Sequence, residues 1–145
     1  MPDCVLDASV IAFSNGDLKG KRPGNLFHRR LTIIEKVCDG SMRLRYNSKL
    51  QREYYQLIKG ARNDVIESFL LLLDSDRAVL VPRNSLSRQD HRTATAECRW
   101  PSHDQHLLAA ALGGHDPSIY VTEDRLAICS QKVLHHFSTR VLHLA

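Results

Sequence analysis

Pro2-Asp3-Cys4-Val5-Leu6-Asp7-Ala8-Ser9-Val10-Ile11 is the stretch on which the fold of this chain turns. Cys4-Val5-Leu6 is a short, wholly apolar run that begins behind a proline and stops at a carboxylate. Such a run reads as a strand buried on both faces, the type found in parallel sheets. Ala8 and Ser9 then open a helix that Asn15-Gly16-Asp17 should break as a turn. A buried strand that passes at once into a helix is the first half of a β-α unit.

Working outward, the same alternation recurs. Leu26, Leu31, Ile34 and Val37 fit a helix ending at Asp39-Gly40, and Met42–Tyr46 alternates apolar and polar with the period of a strand. Ser48-Lys49-Leu50-Gln51 has capping-box spacing and should start a helix, and Asn63–Leu73 forms another. Ala78–Val81 is a short extended run stopped by Pro82, and Arg88–Cys98 is compatible with a helix. Ser102-His103-Asp104-Gln105 repeats the capping-box spacing and opens a helix through Leu112, which Gly113-Gly114 ends. Ser118–Val121 is a second buried-type strand, followed by one helix over Glu123–Leu134 and a last strand over Arg140–Leu144. Residues 17–24 read as an exposed loop. Strands alternating with helices predict an α/β fold with a short central parallel sheet between helices, a three-layer α/β/α arrangement of Rossmann-like topology.

Length and composition fit that picture. A chain of 145 residues, 43% hydrophobic and 25% charged, is expected to be one domain over residues 1–145. The longest apolar runs, Phe69–Leu73 and Leu107–Leu112, fall far short of a bilayer span. Asp3 and Asp7, with no early Lys or Arg, do not read as a signal peptide. The expectation is a soluble, cytoplasmic protein with no membrane partner. Cys4, Cys38, Cys98 and Cys129 are widely spaced, show no CxxC or Cys/His cluster, and are expected to be buried free thiols.

The charge is unevenly distributed. The formal net charge is +4, yet residues 19–62 hold twelve Lys and Arg against the three acids Glu35, Asp39 and Glu53. A basic block of this kind points to a polyanionic partner, since phosphate contacts dominate nucleic-acid affinity. Arg43, Arg45, Lys49 and Arg52 are the candidate RNA-binding residues. A solvated basic face is the competing reading.

Four acids occupy places where ligands bind in α/β folds. In an open parallel sheet that place is the crevice outside the carboxyl ends of the strands. Asp7 ends the first strand, and Asp124 follows Ile119-Tyr120-Val121 by two residues, with the hydroxyls of Ser9 and Thr122 beside them in sequence. Asp is also a favoured helix N-cap, so either residue alone carries little. Glu53 is more informative. Leu50, Tyr54, Leu57, Ile58 and Ala61 form one apolar helical face, and Glu53 lies on it, where a charge is costly unless paired or bound to a metal. Asp104 suits the first turn of its helix electrostatically, and that helix could aim it into the crevice. The histidines have no HExxH or Cys/His spacing and read as surface or structural; His103, next to Asp104, is the one to keep in view.

Four motifs in order carry a resemblance. Val5-Leu6-Asp7-Ala8-Ser9-Val10-Ile11, Ser48-Lys49-Leu50-Gln51-Arg52-Glu53-Tyr54, His103-Asp104-Gln105-His106-Leu107-Leu108-Ala109-Ala110-Ala111 and Tyr120-Val121-Thr122-Glu123-Asp124 together resemble the PIN-domain nucleases over almost the whole chain. The resemblance implies that Asp7, Glu53, Asp104 and Asp124 form one catalytic acidic pocket holding Mg²⁺ or Mn²⁺, with Ser9 and Thr122 orienting the carboxylates. It implies a metal-dependent endoribonuclease acting on single-stranded RNA, similar to the toxins of bacterial toxin–antitoxin pairs. It further implies a homodimer and an antitoxin-like protein partner. The fourth acid rests on Asp124, with Glu123 as its substitute, and Arg125 and Leu126 stand where many relatives carry a further acid. Residues 83–101 match nothing in the pattern.

Two alternatives remain on the residues alone. One is a PIN-like module that binds RNA or protein without cutting. The other is phosphoryl transfer through a covalent Asp7, which the lack of an Asp-x-Asp pair and of paired acids after the first strand disfavours.

Overall fold

The computed structural model describes residues 1–16, 26–82 and 86–144. The loop expected over 17–24 lies outside them, as do Lys19, Lys21 and Arg22 of the basic block. The elements in chain order are β1 (Asp3–Leu6), α1 (Ala8–Ser14), α2 (Leu26–Cys38), β2 (Arg43–Tyr46), α3 (Ser48–Leu57), α4 (Asp64–Leu73) and β3 (Val79–Leu80). There follow α5 (Arg88–Arg92), a π-helical turn (Thr93–Glu97), a 3₁₀ turn (Ser102–Asp104), α6 (Gln105–Ala111), β4 (Ser118–Val121), α7 (Asp124–Ala127), α8 (Ser130–Phe137) and β5 (Arg140–His143).

The sheet is five-stranded, all parallel, in the order β3-β2-β1-β4-β5. With helices on either side, this is the expected α/β architecture. β1 is buried at every position, as its apolar run requires of a central strand. Its register with β4 pairs Leu6 with Tyr120, so β4 runs one residue beyond the end of β1. The chain leaves β1 toward β2 and β3 on one side and returns to β4 on the other. The carboxyl ends of β1 and β4 therefore bound the topological switch point, where ligands bind in such sheets.

α6 lies across β1, β2 and β4. Leu107, Leu108, Ala110 and Ala111 are all inaccessible to solvent, because small Ala residues let the helix sit close to the strands. Trp100 and Tyr54 are the largest wholly buried side chains, and Tyr54 packs edge-on to Phe69 at 5.3 Å. Among the described residues no helix is long and apolar enough to cross a membrane. All four cysteines are free; Cys4, Cys98 and Cys129 are buried and Cys38 half-buried. Burial pushes the Cys4 thiol up to about 12 and the Cys38 thiol up to about 11, so neither is reactive at neutral pH.

Several local expectations are corrected. Asn47, not Ser48, caps α3: its side chain accepts from Leu50 N at 3.1 Å, which places Ser48 one residue inside the helix. Ser102 opens a 3₁₀ turn with no side-chain cap, and α6 begins only at Gln105. Glu123–Leu134 is two helices, α7 and α8, broken at Ile128-Cys129. Residues 88–98 are α-helical only to Arg92 and then widen into the π turn. Leu57 is 52% exposed rather than part of the inward face of α3, because the helix ends there.

Candidate acidic centre at the switch point

Asp7 leaves β1 as its last peptide N–H donates to Tyr120 O of β4 at 3.0 Å. The residue is buried, 8% exposed. Ser9 Oγ donates to its Oδ2 at 3.0 Å and is itself 2.7 Å from Thr122 Oγ1. The two hydroxyls expected to orient a carboxylate thus do so for Asp7, across the β1–β4 seam. Burial first, and then the charges of Asp104, Glu123 and Glu53, push the Asp7 carboxyl up to about 6 despite the Ser9 hydrogen bond. A buried carboxylate among like charges is a mark of a functional site.

Glu53 is brought to this centre by its neighbour. The Tyr54 hydroxyl, wholly buried, donates to Leu6 O at 2.5 Å and so ties α3 to the last carbonyl of β1. Glu53 is half-buried, and burial together with the Asp104 charge raises its carboxyl, while Lys49 opposes them. Asp104 is held from below: the buried Trp100 indole donates to its carbonyl at 2.7 Å, and its own N–H reaches Pro101 O at 3.0 Å. Glu53 Oε1 and Asp104 Oδ2 are both buried and lack an aligned hydrogen-bond donor.

The fourth expected acid behaves differently. The Asp124 side chain is 91% exposed and lies 3.3 Å from Nε2 of His143, the last residue of β5. Glu123, one residue earlier, is the acid whose charge Asp7 feels. Glu123 still has extended backbone, whereas α7 begins at Asp124; Glu123 pairs with Arg125 and Asp124 with His143.

Two further residues enter the centre that the sequence reading passed over. Arg125 spans it: Nη2 lies 3.1 Å from Asp104 Oδ2, Nε pairs with Glu123, and Nη1 donates to His103 Nε2 at 2.8 Å. Its guanidinium neutralises part of the local negative charge. His106, on α6, is largely buried, with Nε2 2.7 Å from Glu53 Oε1. Burial and Lys49 push the imidazole down to about 4 against the opposing Asp104 charge and the His103 backbone, so it is neutral at pH 7.

The basic candidates divide into two pairs. Arg43 and Arg45, expected to hold RNA, are committed to structure near the amino ends of the strands. Arg43 makes two hydrogen bonds to Asp3, at 2.7 and 3.1 Å, and Arg45 donates to Ala110 O and Leu112 O, each at 2.8 Å. Lys49 and Arg52 instead lie on α3 close to the acidic centre. Lys49 Nζ donates to His103 O at 2.8 Å, and Arg52 is exposed with no ion pair among the described residues.

Carboxylate oxygens are the donors that hard cations choose. Mg²⁺ is commonly held by one or two carboxylates and several waters, and Glu53 and Asp104 are of that donor type, although Glu53 Oε1 lies against His106 and Asp104 Oδ2 against Arg125. Among the described residues no group of three or more His, Cys, Asp or Glu side chains is placed to hold a metal ion. The chain matches no family model, no curated protein and no solved structure, so its likeness to the PIN-domain nucleases rests on the four motifs themselves.

Proposed function

We propose that the protein is a metal-dependent endoribonuclease of PIN type that hydrolyses phosphodiester bonds of single-stranded RNA. One observation carries the reading: Asp7, Glu53, Asp104 and Glu123 interact electrostatically at the switch point of a parallel sheet, where the Asp7 carboxyl is pushed up to about 6. Isolated structural aspartates are paired off; this one is crowded by other acids. Asp7, Glu53 and Asp104 would hold Mg²⁺ or Mn²⁺, with Glu123 taking the place first expected of Asp124. When bound, such an ion supplies positive charge at the attacked phosphate and makes water a usable nucleophile at neutral pH.

The chain's own residues do the rest. Ser9, braced by Thr122, fixes the Asp7 carboxylate. Tyr54 holds Glu53 at the end of β1, and Trp100 holds Asp104. Lys49 and Arg52 attract the RNA backbone toward an otherwise anionic centre. A cytoplasmic setting, a homodimer and an antitoxin-like protein partner belong to the same proposal through the resemblance.

The test is cleavage of single-stranded RNA with Mg²⁺ or Mn²⁺. Activity should vanish with EDTA and in Asp7→Asn; activity that survives both overturns the mechanism. A second reading, a PIN-like module that binds without cutting, is favoured by one feature: Arg125 already bridges Asp104 and Glu123. Mn²⁺ titration separates the two, because an idle scaffold has no metal site that Glu53→Gln abolishes.

A further inference from the structure

Arg125 reaches across the acidic centre from the first turn of α7. Its Nη2 lies 3.1 Å from Asp104 Oδ2, its Nε pairs with Glu123, and its Nη1 donates to His103 Nε2 at 2.8 Å. We propose that Arg125 is a built-in counter-cation of this centre, one that a divalent ion must displace before it can bind. The inference rests on the ribonuclease reading and names how that site is regulated.

The oxygens supply the first argument. A hard cation binds through carboxylate lone pairs, and a guanidinium donates to the same lone pairs. Asp104 Oδ2 is buried, so no ion reaches it while the side chains against it stay where they are. Those of Arg125 and His103, at 3.1 and 3.5 Å, are themselves 46% and 64% exposed, and so have room to swing toward solvent.

Charge supplies the second. The Glu123 hydrogen bond first, and then the charges of Asp104, Glu123 and Asp7, favour the charged guanidinium against its partial desolvation. The acids that would attract a divalent ion therefore already act on a cation of the chain. Lys49, the other base whose charge acts on this centre, spends its Nζ on His103 O instead.

The grip supplies the third. Three nitrogens of one guanidinium engage three residues on two elements: His103 and Asp104 on the 3₁₀ turn, and Glu123 as the residue before α7. An isolated exposed ion pair contributes little, but a planar fork held at three points is preorganised. Guanidinium nitrogens carry no acceptor, so His103 Nε2 is the acceptor at 2.8 Å and bears no proton there. His103 thus aims the fork without adding a charge to it. Exchange is one cation in and one cation out, and the strength of the fork sets the divalent concentration at which the centre fills.

The experiment measures Mn²⁺ binding to the full chain by calorimetry, for wild type, Arg125→Ala and Arg125→Lys. Both variants should bind roughly tenfold more tightly than wild type, because Lys keeps the charge but cannot hold three partners in one plane. If a thermal melt shows Arg125→Ala unfolded, Arg125→Gln replaces it. Arg125→Lys with wild-type affinity reduces Arg125 to a diffuse charge and overturns the proposal. On saturation with Mg²⁺, the Arg125 Nε–Hε resonance of the wild type, assigned by its loss in Arg125→Lys, should move to the position of a solvated arginine. A resonance that stays in place shows the ion binding beside the fork and also overturns the proposal. Adding Glu53→Gln to Arg125→Ala should abolish binding; binding that survives lies outside the centre and counts against the displacement. Equal, tight Mn²⁺ binding by all three proteins defeats the displacement and leaves the ribonuclease reading standing. No Mn²⁺ binding by any of them defeats the metal-dependent reading as well.

Discussion

Asp3 and Asp7 stand at the two ends of the same strand, roughly 13 Å apart at ~3.3 Å per residue, and the fold treats them in opposite ways. Both are buried. Burial acts to raise the Asp3 carboxyl, but two hydrogen bonds from Arg43, the His115 N–H at 2.8 Å and the charge of Arg45 hold it below its usual range. Asp7 has one hydroxyl and a ring of acids, and is pushed up to about 6. Asp3 closes the amino end of the sheet as a satisfied ion-pair network. Asp7 leaves the carboxyl end electrostatically unsatisfied, and an unsatisfied buried carboxylate costs stability that a binding site can recover when its ligand arrives.

The contrast can be broken in four ways, the largest effect first. Asp7→Asn should cut RNA cleavage by ~100-fold or more, since a lost ligand charge forfeits several kcal/mol of transition-state stabilisation; steady-state rates at saturating Mn²⁺ read this directly. Asp3→Asn should leave catalysis intact but destabilise the fold by about 3 kcal/mol, because two arginines lose their buried partner. Urea unfolding measures it. The same measurement on Asp7→Asn in EDTA at pH 7 should show the opposite sign, a gain of about 2–3 kcal/mol from removing a strained charge. Smallest of all, Asp124→Asn should change cleavage less than about twofold, in line with an exposed surface pair, whereas Glu123→Gln should cost at least tenfold. Equal effects for those two variants would return the fourth role to Asp124.

The pH dependence sharpens the same pair. Asp3 is depressed, so its stabilisation is present above about pH 4 and lost as pH falls through its folded value. Asp7 is raised, so its protonated form is favoured by folding. That contribution is complete below about pH 4 and disappears as pH rises through about 6. In EDTA, stability should therefore decline between pH 4 and 6 in the wild type, and this decline should be absent in Asp7→Asn.

The strands and their ends were legible because the information is local. Cys4-Val5-Leu6 and Ser118–Val121 are apolar runs bounded by turn residues, and such runs have few ways to be buried. Asp7 and Glu53 could be marked for the same reason: each carboxylate sits where its own element is otherwise apolar. The remainder of the centre depends on geometry that spacing does not encode. Glu123 and Asp124 are adjacent at a strand-to-helix turn, and only the folded chain shows that the charge of Glu123 acts on Asp7. The break between α7 and α8 at Ile128-Cys129 has no Gly or Pro to announce it. His106 gains its place only because α6 docks against α3, a contact between distant parts of the chain. Nothing in the sequence marks Asp3, since Arg43 and Arg45 read there as RNA-binding residues and only the β1–β2 register pairs Asp3 with Arg43.

α3 carries Lys49 and Arg52 on its exposed side, Glu53 toward the acids and Tyr54 in the core. Anchored through the Tyr54–Leu6 hydrogen bond, the helix would serve the proposed ribonuclease as a ruler of fixed length between its basic side chains and the acids. An RNA strand gripped at one mark has a single phosphodiester at the other, so the register of scission would be written into the backbone of one helix and not into the metal.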